Sequence, residues 1–357
     1  MIIRRIELYN YRRYLNRSFD FKAGINIIQG SNATGKSTVL EAIHYLILLR
    51  SNRAAQDSDM ISFDKDEMVI KGDFVSNDES KRMVVLNSKY FKKMNCDGKI
   101  IKKASDYVGF ADVVSFTTED IHAISGSPSI RRKMFDMFAS QYCPEYIILL
   151  REYKNILKER NALLKDFNQL TKHDRMLLDV INVKFLAASK RLTNERRKII
   201  SQMKGVIDDI HYTLSNGREH CEIKYVPSCD NTESGLNERD ILYKTSTVGP
   251  HRDDIWFYVN TENLSKYGSQ GQKKTVMLSF KMSCVKMLEQ QNKRKAIILL
   301  DDVFGELDPE RQNCLLKFIE NDNQTFITTP SLVDIKEELI QKSNKIKSII
   351  SHIHFFS

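Results

Sequence analysis

The apolar and polar positions of this chain fall into two textures. At the start, Met1-Ile2-Ile3-Arg4-Arg5-Ile6-Glu7-Leu8 alternates, which is the period of a half-buried strand. Gly24-Ile25-Asn26-Ile27-Ile28-Gln29 is a short apolar run and predicts a buried strand. Over residues 36–49, Val39, Leu40, Ile43, Leu46 and Ile47 return at helical spacing. Residues 68–74 and 81–86 read as strands. Asn95-Cys96-Asp97-Gly98-Lys99 reads as a hairpin turn, because Asp-Gly tolerates positive φ.

Residues 146–214 have the second texture. They contain no proline and a single glycine, Gly205. Tyr146, Leu149, Leu150, Tyr153, Ile156, Leu157, Leu163, Leu164 and Phe167 mark one helical stripe. Leu177, Ile181, Phe185, Ala188, Leu192, Ile199 and Met203 mark another. Thr171-Lys172-His173-Asp174 between them reads as a turn, so the pattern predicts two long helices paired as a hairpin. The polar stretch 229–237 reads as a loop. Strands return at 295–300 and 324–328. A helical arm thus interrupts an α/β texture, and nothing repeats at a fixed period.

A chain of 357 residues has room for about two domains. Lys and Arg number 55 against 46 Asp and Glu, a net charge of +9 that suits an anionic partner without specifying one. No apolar run approaches the roughly 20 residues that a bilayer requires. The charged start does not resemble a signal peptide. The expectation is a cytoplasmic protein with no membrane partner. Cys96, Cys143, Cys221, Cys229, Cys284 and Cys314 are scattered without a C-x-x-C pair, which speaks against a disulfide framework or zinc site. His352 and His354 read as an ordinary chain end.

Three segments carry chemistry. Gly30-Ser31-Asn32-Ala33-Thr34-Gly35-Lys36-Ser37, followed by Thr38, fits G-x-x-x-x-G-K-[ST] between a predicted strand and a predicted helix. Backbone N–H groups there form an anion nest at a helix N-terminus. Lys36 would meet the β- and γ-phosphates of ATP, and Ser37 would ligate Mg²⁺. Ala296-Ile297-Ile298-Leu299-Leu300-Asp301-Asp302 is an apolar strand ending in two acids. Asp301 would serve the Mg²⁺, and Asp302 would orient or deprotonate the attacking water. The third segment is Ser269-Gln270-Gly271-Gln272, which precedes a helix and can hold a phosphate. Phosphate loop, S-x-G-Q, then acidic strand is the order of ABC-type ATPases.

At this point the chain resembles the RecF family, bacterial recombination-mediator ATPases related to SMC proteins. The resemblance rests on Tyr9-Asn10-Tyr11-Arg12, Leu40-Glu41-Ala42-Ile43, Ser51-Asn52-Arg53 and Phe116-Thr117-Thr118-Glu119-Asp120. It continues through Gly126-Ser127-Pro128-Ser129-Ile130-Arg131-Arg132 and Glu159-Arg160-Asn161-Ala162-Leu163-Leu164-Lys165. Val248-Gly249-Pro250-His251-Arg252-Asp253-Asp254 and Gly305-Glu306-Leu307-Asp308 complete it. It covers most of the chain, and the tail after Thr329 matches least. Thr118 departs from the family's usual proline, Ser37 from its commoner threonine and Thr34 from its commoner glutamine. None of these removes an atom type that the chemistry needs.

The resemblance implies an α/β fold: an ABC/SMC-type P-loop ATPase head with an inserted α-helical arm. Residues 1–126 would form the N-terminal part of the head, 127–215 the arm, and 216–357 the C-terminal part of the head. It implies ATP and Mg²⁺ as cofactors and slow, DNA-dependent hydrolysis. It also implies an ATP-dependent homodimer in which Ser269 completes the neighbour's site. Implied partners are double-stranded DNA and single-strand/double-strand junctions, RecR and RecO, and RecA indirectly. The implied work is recombinational repair and replication restart.

Basic clusters at Arg131-Arg132-Lys133, Lys190-Arg191, Arg196-Arg197-Lys198 and Lys273-Lys274 read first as solvated faces and second as DNA contacts. Rival readings are a DNA-binding scaffold with an inactive ATPase, a transport-coupled ABC ATPase, and an anti-phage ATPase–nuclease. The acids Asp301 and Asp302 oppose the first. The helical arm opposes the second. The short segment after Thr329, with no room for a nuclease domain, opposes the third.

Overall fold

The computed structural model describes residues 1–347 apart from 55, 77–78, 229–236, 320–321, 333–339 and 342. Most of the expected loop at 229–237, with Cys229, lies outside the described residues, as do His352 and His354. Packing divides the chain into two units, Met1–Ile121 with Cys284–Ser357, and His122–Ser283. This division differs from the sequence boundaries, which gave residues 216–283 to the head. The reason is local: strand Cys221–Val226 packs along the long helix Lys172–Leu214.

The first unit holds two sheets. One is antiparallel, in the order Tyr14–Asp20, Ile2–Tyr11, Glu67–Ser76, Glu79–Ser88, Lys92–Cys96, Lys99–Ile101. The expected turn is there, with Asp97 and Gly98 both at positive φ. The other sheet is parallel, in the order Asn344–Lys347, Ile25–Gln29, Thr325–Thr329, Ile297–Asp301, Val113–Thr117. All of its strands but Asn344–Lys347 are nearly continuous buried runs, as a parallel sheet covered on both faces requires. Asn344–Lys347 was not anticipated from the sequence; it extends the edge of this sheet beside Ile25–Gln29.

Helix Lys36–Leu48 packs against strands of both sheets. Residues 39–48 of the helix are buried on every face, which explains why its apolar pattern runs all round. Gln324 ties the sheets together: its side chain accepts from the Ile3 N–H at 2.7 Å and donates to the Ile3 carbonyl at 2.8 Å.

The second unit is built on a helical hairpin, Pro144–Lys165 and Lys172–Leu214. Thr171 and Asp174 form a capping box at the turn, each side chain meeting the other's N–H. Beside the hairpin lies a three-stranded antiparallel sheet of Cys221–Val226, Asp254–Val259 and Glu262–Asn263. In the long helix Leu178, Ile181, Phe185, Ala188, Leu192, Ile199, Met203 and Ile207 are buried. The stripe begins at Leu178, whereas Leu177 is exposed, so the sequence stripe started one residue early.

Three buried positions among the described residues are arginines. Arg160 is fully buried and donates to Asn182 Oδ1 at 2.8 Å, Ser246 Oγ at 2.6 Å and Asp240 Oδ2 at 2.8 Å. Its guanidinium also stands over the Phe185 ring. Arg196 fills the turn between Leu192 and Ile199 and donates to the Pro250 carbonyl, Asp136 and Tyr146 Oη. Arg131 makes a two-pronged pair with Asp254, at 2.8 Å for both contacts. Arg131 and Arg196 are therefore neither solvated nor available to DNA, which corrects the reading of those clusters.

The distinctive string at 248–254 has the same structural character. Asp253 and Asp254 receive the arginines. His251 Nδ1 meets Tyr153 Oη at 2.5 Å, and its Nε2 meets the Ser246 carbonyl at 2.9 Å. Gly249 has φ 126°, and a Cβ there would meet Tyr153 Oη at 2.9 Å.

Candidate functional site

Parallel strands end together at one edge of their sheet, and ligands of such sheets bind beyond the carboxyl ends. Register makes this concrete. Thr328 pairs with Asp301 on one side and Ile28 on the other. The loop after Gln29 and the acids after Leu300 therefore emerge at the same level, although some 264 positions separate Ser37 from Asp301.

The loop 30–35 wraps the start of helix Lys36–Leu48. Gly35, at φ 95°, caps it, and a Cβ there would meet Tyr14 Oη at 2.6 Å. Thr34 Oγ1 donates to the Ser31 carbonyl at 2.8 Å. Lys36 is buried, and its ammonium donates to the carbonyls of Gly30 at 2.8 Å and Ser31 at 3.1 Å. Ser37 Oγ donates to Asp301 Oδ1 at 2.7 Å.

Over this loop lies a cleft of about 360 Å³, within the range of small-molecule sites. Asn32, Ala33, Gly35, Lys36, Ser37, Thr38 and Asp302 line it, as do two arginines that the sequence reading did not assign to it, Arg13 and Arg53. Among the described residues, Lys36, Arg13 and Arg53 are its cations and Asp302 its only acid. Such a lining attracts a polyanion.

The two arginines are held by a small network. Arg12 grips Glu41 through Nε at 3.1 Å and Nη2 at 2.8 Å. Ser51 Oγ donates to the same carboxylate at 2.5 Å and accepts from the N–H groups of Arg53 and Ala54. Arg53 is thereby fixed at the rim. Arg13 donates to the Ala33 carbonyl of the loop itself. Tyr-Arg-Arg-Tyr in the first hairpin was the available sequence signal, but only the fold shows that it folds over the loop.

Asp302 sits in a left-handed backbone conformation, φ 53°. Burial raises its pKa, with neighbouring Asp301 adding to the effect and Lys36 opposing it. A carboxylate so tuned is better placed to take a proton than an ordinary aspartate.

Ser269, Gln270, Gly271 and Gln272 belong to the second unit. Ser269 precedes helix Gln270–Asn292, so Gln270, Gly271 and Gln272 form its first turn, whereas the sequence reading placed them before the helix. Ser269 and Gln272 form a reciprocal cap. Ser269 Oγ accepts from Gln272 N–H at 3.1 Å, and Gln272 Oε1 accepts from Ser269 N–H at 2.9 Å. Since that Ser269 oxygen acts as an acceptor, its own proton is left to donate elsewhere. Gln272 Nε2 donates to Glu219 at 2.8 Å, anchoring the cap.

The family model for the RecF/RecN/SMC N terminal domain matches residues 2–353. The DNA replication and repair protein RecF of Geobacillus thermodenitrificans (strain NG80-2) is 36% identical over 358 residues, covering 96% of each chain. That of Bacillus thuringiensis (strain Al Hakam) is 35% identical over 361 residues, covering 97% of this chain and 96% of the relative. The solved structure of the recombination mediator protein RecF-ATPrS in the RecFOR pathway is similar with a TM-score of 0.84 and 30% identity, covering 97% of this chain and 96% of that one. An Smc head domain from Pyrococcus furiosus shares the fold at a TM-score of 0.51 and 16% identity, covering 93% of this chain and 90% of that one.

Proposed function

The chain belongs to the RecF family of DNA replication and repair proteins, and from that premise we propose that it binds ATP in the cleft over Lys36 and uses the nucleotide to control its hold on duplex DNA. The observation that carries this reading is the hydrogen bond between Ser37 and Asp301, which joins the phosphate loop to the acidic strand under a cationic cleft. A relative was solved with ATPrS, which supports a nucleotide here.

In this reading the backbone of residues 30–35 cradles the phosphates. An ammonium has three donors, so the two carbonyl contacts of Lys36 leave one for a phosphate oxygen. Ser37 and Asp301 offer hard oxygen donors, a hydroxyl and a carboxylate, of the kind that Mg²⁺ takes. Bound there, Mg²⁺ would neutralise charge on the phosphates. Asp302 accepts the proton of the attacking water. Arg13, Arg53 and Thr38 contact the polyanion from the rim. Ser269 to Gln272 would donate to a nucleotide held by a second copy, so that ATP closes a homodimer.

DNA enters this reading as duplex with single-strand/double-strand junctions, held through its phosphates. RecR and RecO are the proposed protein partners, RecA the indirect one, and the cytoplasm the proposed compartment. The test measures nucleotide and duplex binding together. The wild-type chain should retain ATP, and Lys36→Ala should lose it while unfolding at the same temperature. Duplex affinity should rise with ATP and fall linearly on a log–log salt plot, by about 0.9 per phosphate neutralised. A folded Lys36→Ala protein with normal ATP affinity would sink the assignment of the cleft. A flat salt response would sink the phosphate-held clamp.

A further inference from the structure

We infer that Thr328 is a positioning residue that holds both acids of the cleft, Asp301 and Asp302, through a single hydroxyl. This rests on the reading of the cleft as an ATPase site. Thr328 lies near the end of a central strand, Thr325–Thr329, between Ile297–Asp301 and Ile25–Gln29. It is 1% exposed. A hydroxyl buried at such a place must find partners.

Its partners are the two acids. Thr328 Oγ1 donates to Asp301 Oδ1 at 2.8 Å. It accepts from the Asp302 N–H at 3.0 Å. Asp302 Oδ1 stands farther off, at 3.4 Å, and Leu300 O at 3.5 Å. A hydroxyl has one proton. The short contact to Asp301 claims it, and a lone pair takes the N–H of Asp302.

Each contact answers a local need. Asp301 Oδ1 also receives Ser37 Oγ at 2.7 Å, so Thr328 supplies the second of two hydroxyl donors that fix this carboxylate's orientation. Asp302 leaves the strand with φ 53°, a conformation that L-residues rarely adopt without support. Its N–H has turned out of the ladder, and Thr328 satisfies it. Valine at 328 has nearly the same shape and none of these contacts. It would leave the Asp302 N–H without this partner and allow the Asp302 backbone to relax away from the cleft.

The experiment compares Thr328→Val, Thr328→Ser and wild type by ATP affinity, using a fluorescent ATP analogue, and by turnover at saturating ATP. Thr328→Val should hold the analogue within about threefold of wild type, because Lys36 and the phosphate loop are untouched. Its turnover should fall about 10–100-fold, the usual loss when a residue supporting the reacting groups is removed. Thr328→Ser keeps the hydroxyl and should restore the rate.

Wild-type turnover in Thr328→Val overturns the inference. So does an equal loss in Thr328→Ser and Thr328→Val, which would mark the side chain as packing alone. If Thr328→Val does not fold, Thr328→Cys takes its place against Thr328→Ser, with the same expected contrast. A wild-type chain that binds the analogue and never hydrolyses ATP would instead overturn the ATPase reading itself.

Discussion

At the scale of the residue, the cleft turns on where one proton goes. Asp302 carries a raised pKa because burial and Asp301 disfavour its charged form more strongly than Lys36 favours it. A base works only when deprotonated. Turnover should therefore decline as pH falls through this raised value, and the decline should begin above the pH at which an ordinary aspartate protonates. Asp302→Asn keeps the shape and removes the base. It should retain nucleotide while turnover falls about 10²–10⁴-fold. Steady-state rates against pH for both proteins check this, and an unchanged rate in Asp302→Asn would assign the role elsewhere. The sequence showed Asp302 as the second acid after an apolar strand. It did not show the left-handed turn, the support from Thr328, or Arg13 and Arg53 at the rim. Those depend on the fold: Thr328 reaches the acids from the paired neighbouring strand, and Arg13 and Arg53 come from segments on either side of the phosphate loop.

At the scale of the element, legibility followed periodicity. Strand Ile25–Gln29, helix Lys36–Leu48 and the hairpin of Pro144–Lys165 with Lys172–Leu214 were visible because apolar spacing repeats over many residues. The same method misplaced what is polar and buried. It counted the basic runs at Arg131 and Arg196 as solvated and gave Arg160 no place in the hairpin core, whereas each lies buried against a carboxylate. A hydropathy pattern cannot tell an exposed arginine from one with a distant aspartate. Strand Asn344–Lys347 was missed for a related reason: four residues with two lysines carry no periodic signal. The buried arginines make a prediction about stability. Arg160→Met should destabilise the helical unit by about 3–5 kcal/mol, because Asp240 is left buried without its partner. Replacing Asp240 as well, by leucine, should recover part of that loss. Urea denaturation followed by far-ultraviolet circular dichroism measures both. Asp240 also adds a pH term. Its burial raises its pKa, but hydrogen bonds from Thr247 and Arg160 outweigh this and depress it. A depressed folded value contributes stability that is present above the unfolded pKa and lost as pH falls through the folded one. Asp240→Asn should flatten that acid loss.

At the scale of the whole molecule, two segments with phosphate-binding chemistry lie in different units, Lys36 in one and Ser269 in the other. Each has its own helix N-terminus, and one phosphate loop would by itself surround one triphosphate. If ATP closes a dimer in which Ser269 serves the neighbour's nucleotide, every active site draws on two chains. That makes a prediction that a one-chain site does not. Take two inactive variants, Lys36→Ala and Ser269→Arg. In a mixed dimer one site receives both lesions. The other receives intact Lys36 from the Ser269→Arg chain and intact Ser269 from the Lys36→Ala chain, and is whole. Mixing should therefore restore ATPase activity, to at most about one quarter of wild type. Half of the dimers are mixed under random pairing, and half of their sites are whole. Titrating one variant into the other should give activity that peaks near an equimolar ratio. Crosslinking of differently tagged chains establishes that mixed dimers form. A mixture that contains mixed dimers and hydrolyses no ATP means that both segments act within one chain, or that a single filled site cannot hold the dimer closed. A tagged Lys36→Ala chain mixed with wild type separates these. Its mixed dimers can fill only one site, so activity in them shows that one filled site suffices and leaves the one-chain site as the remaining explanation.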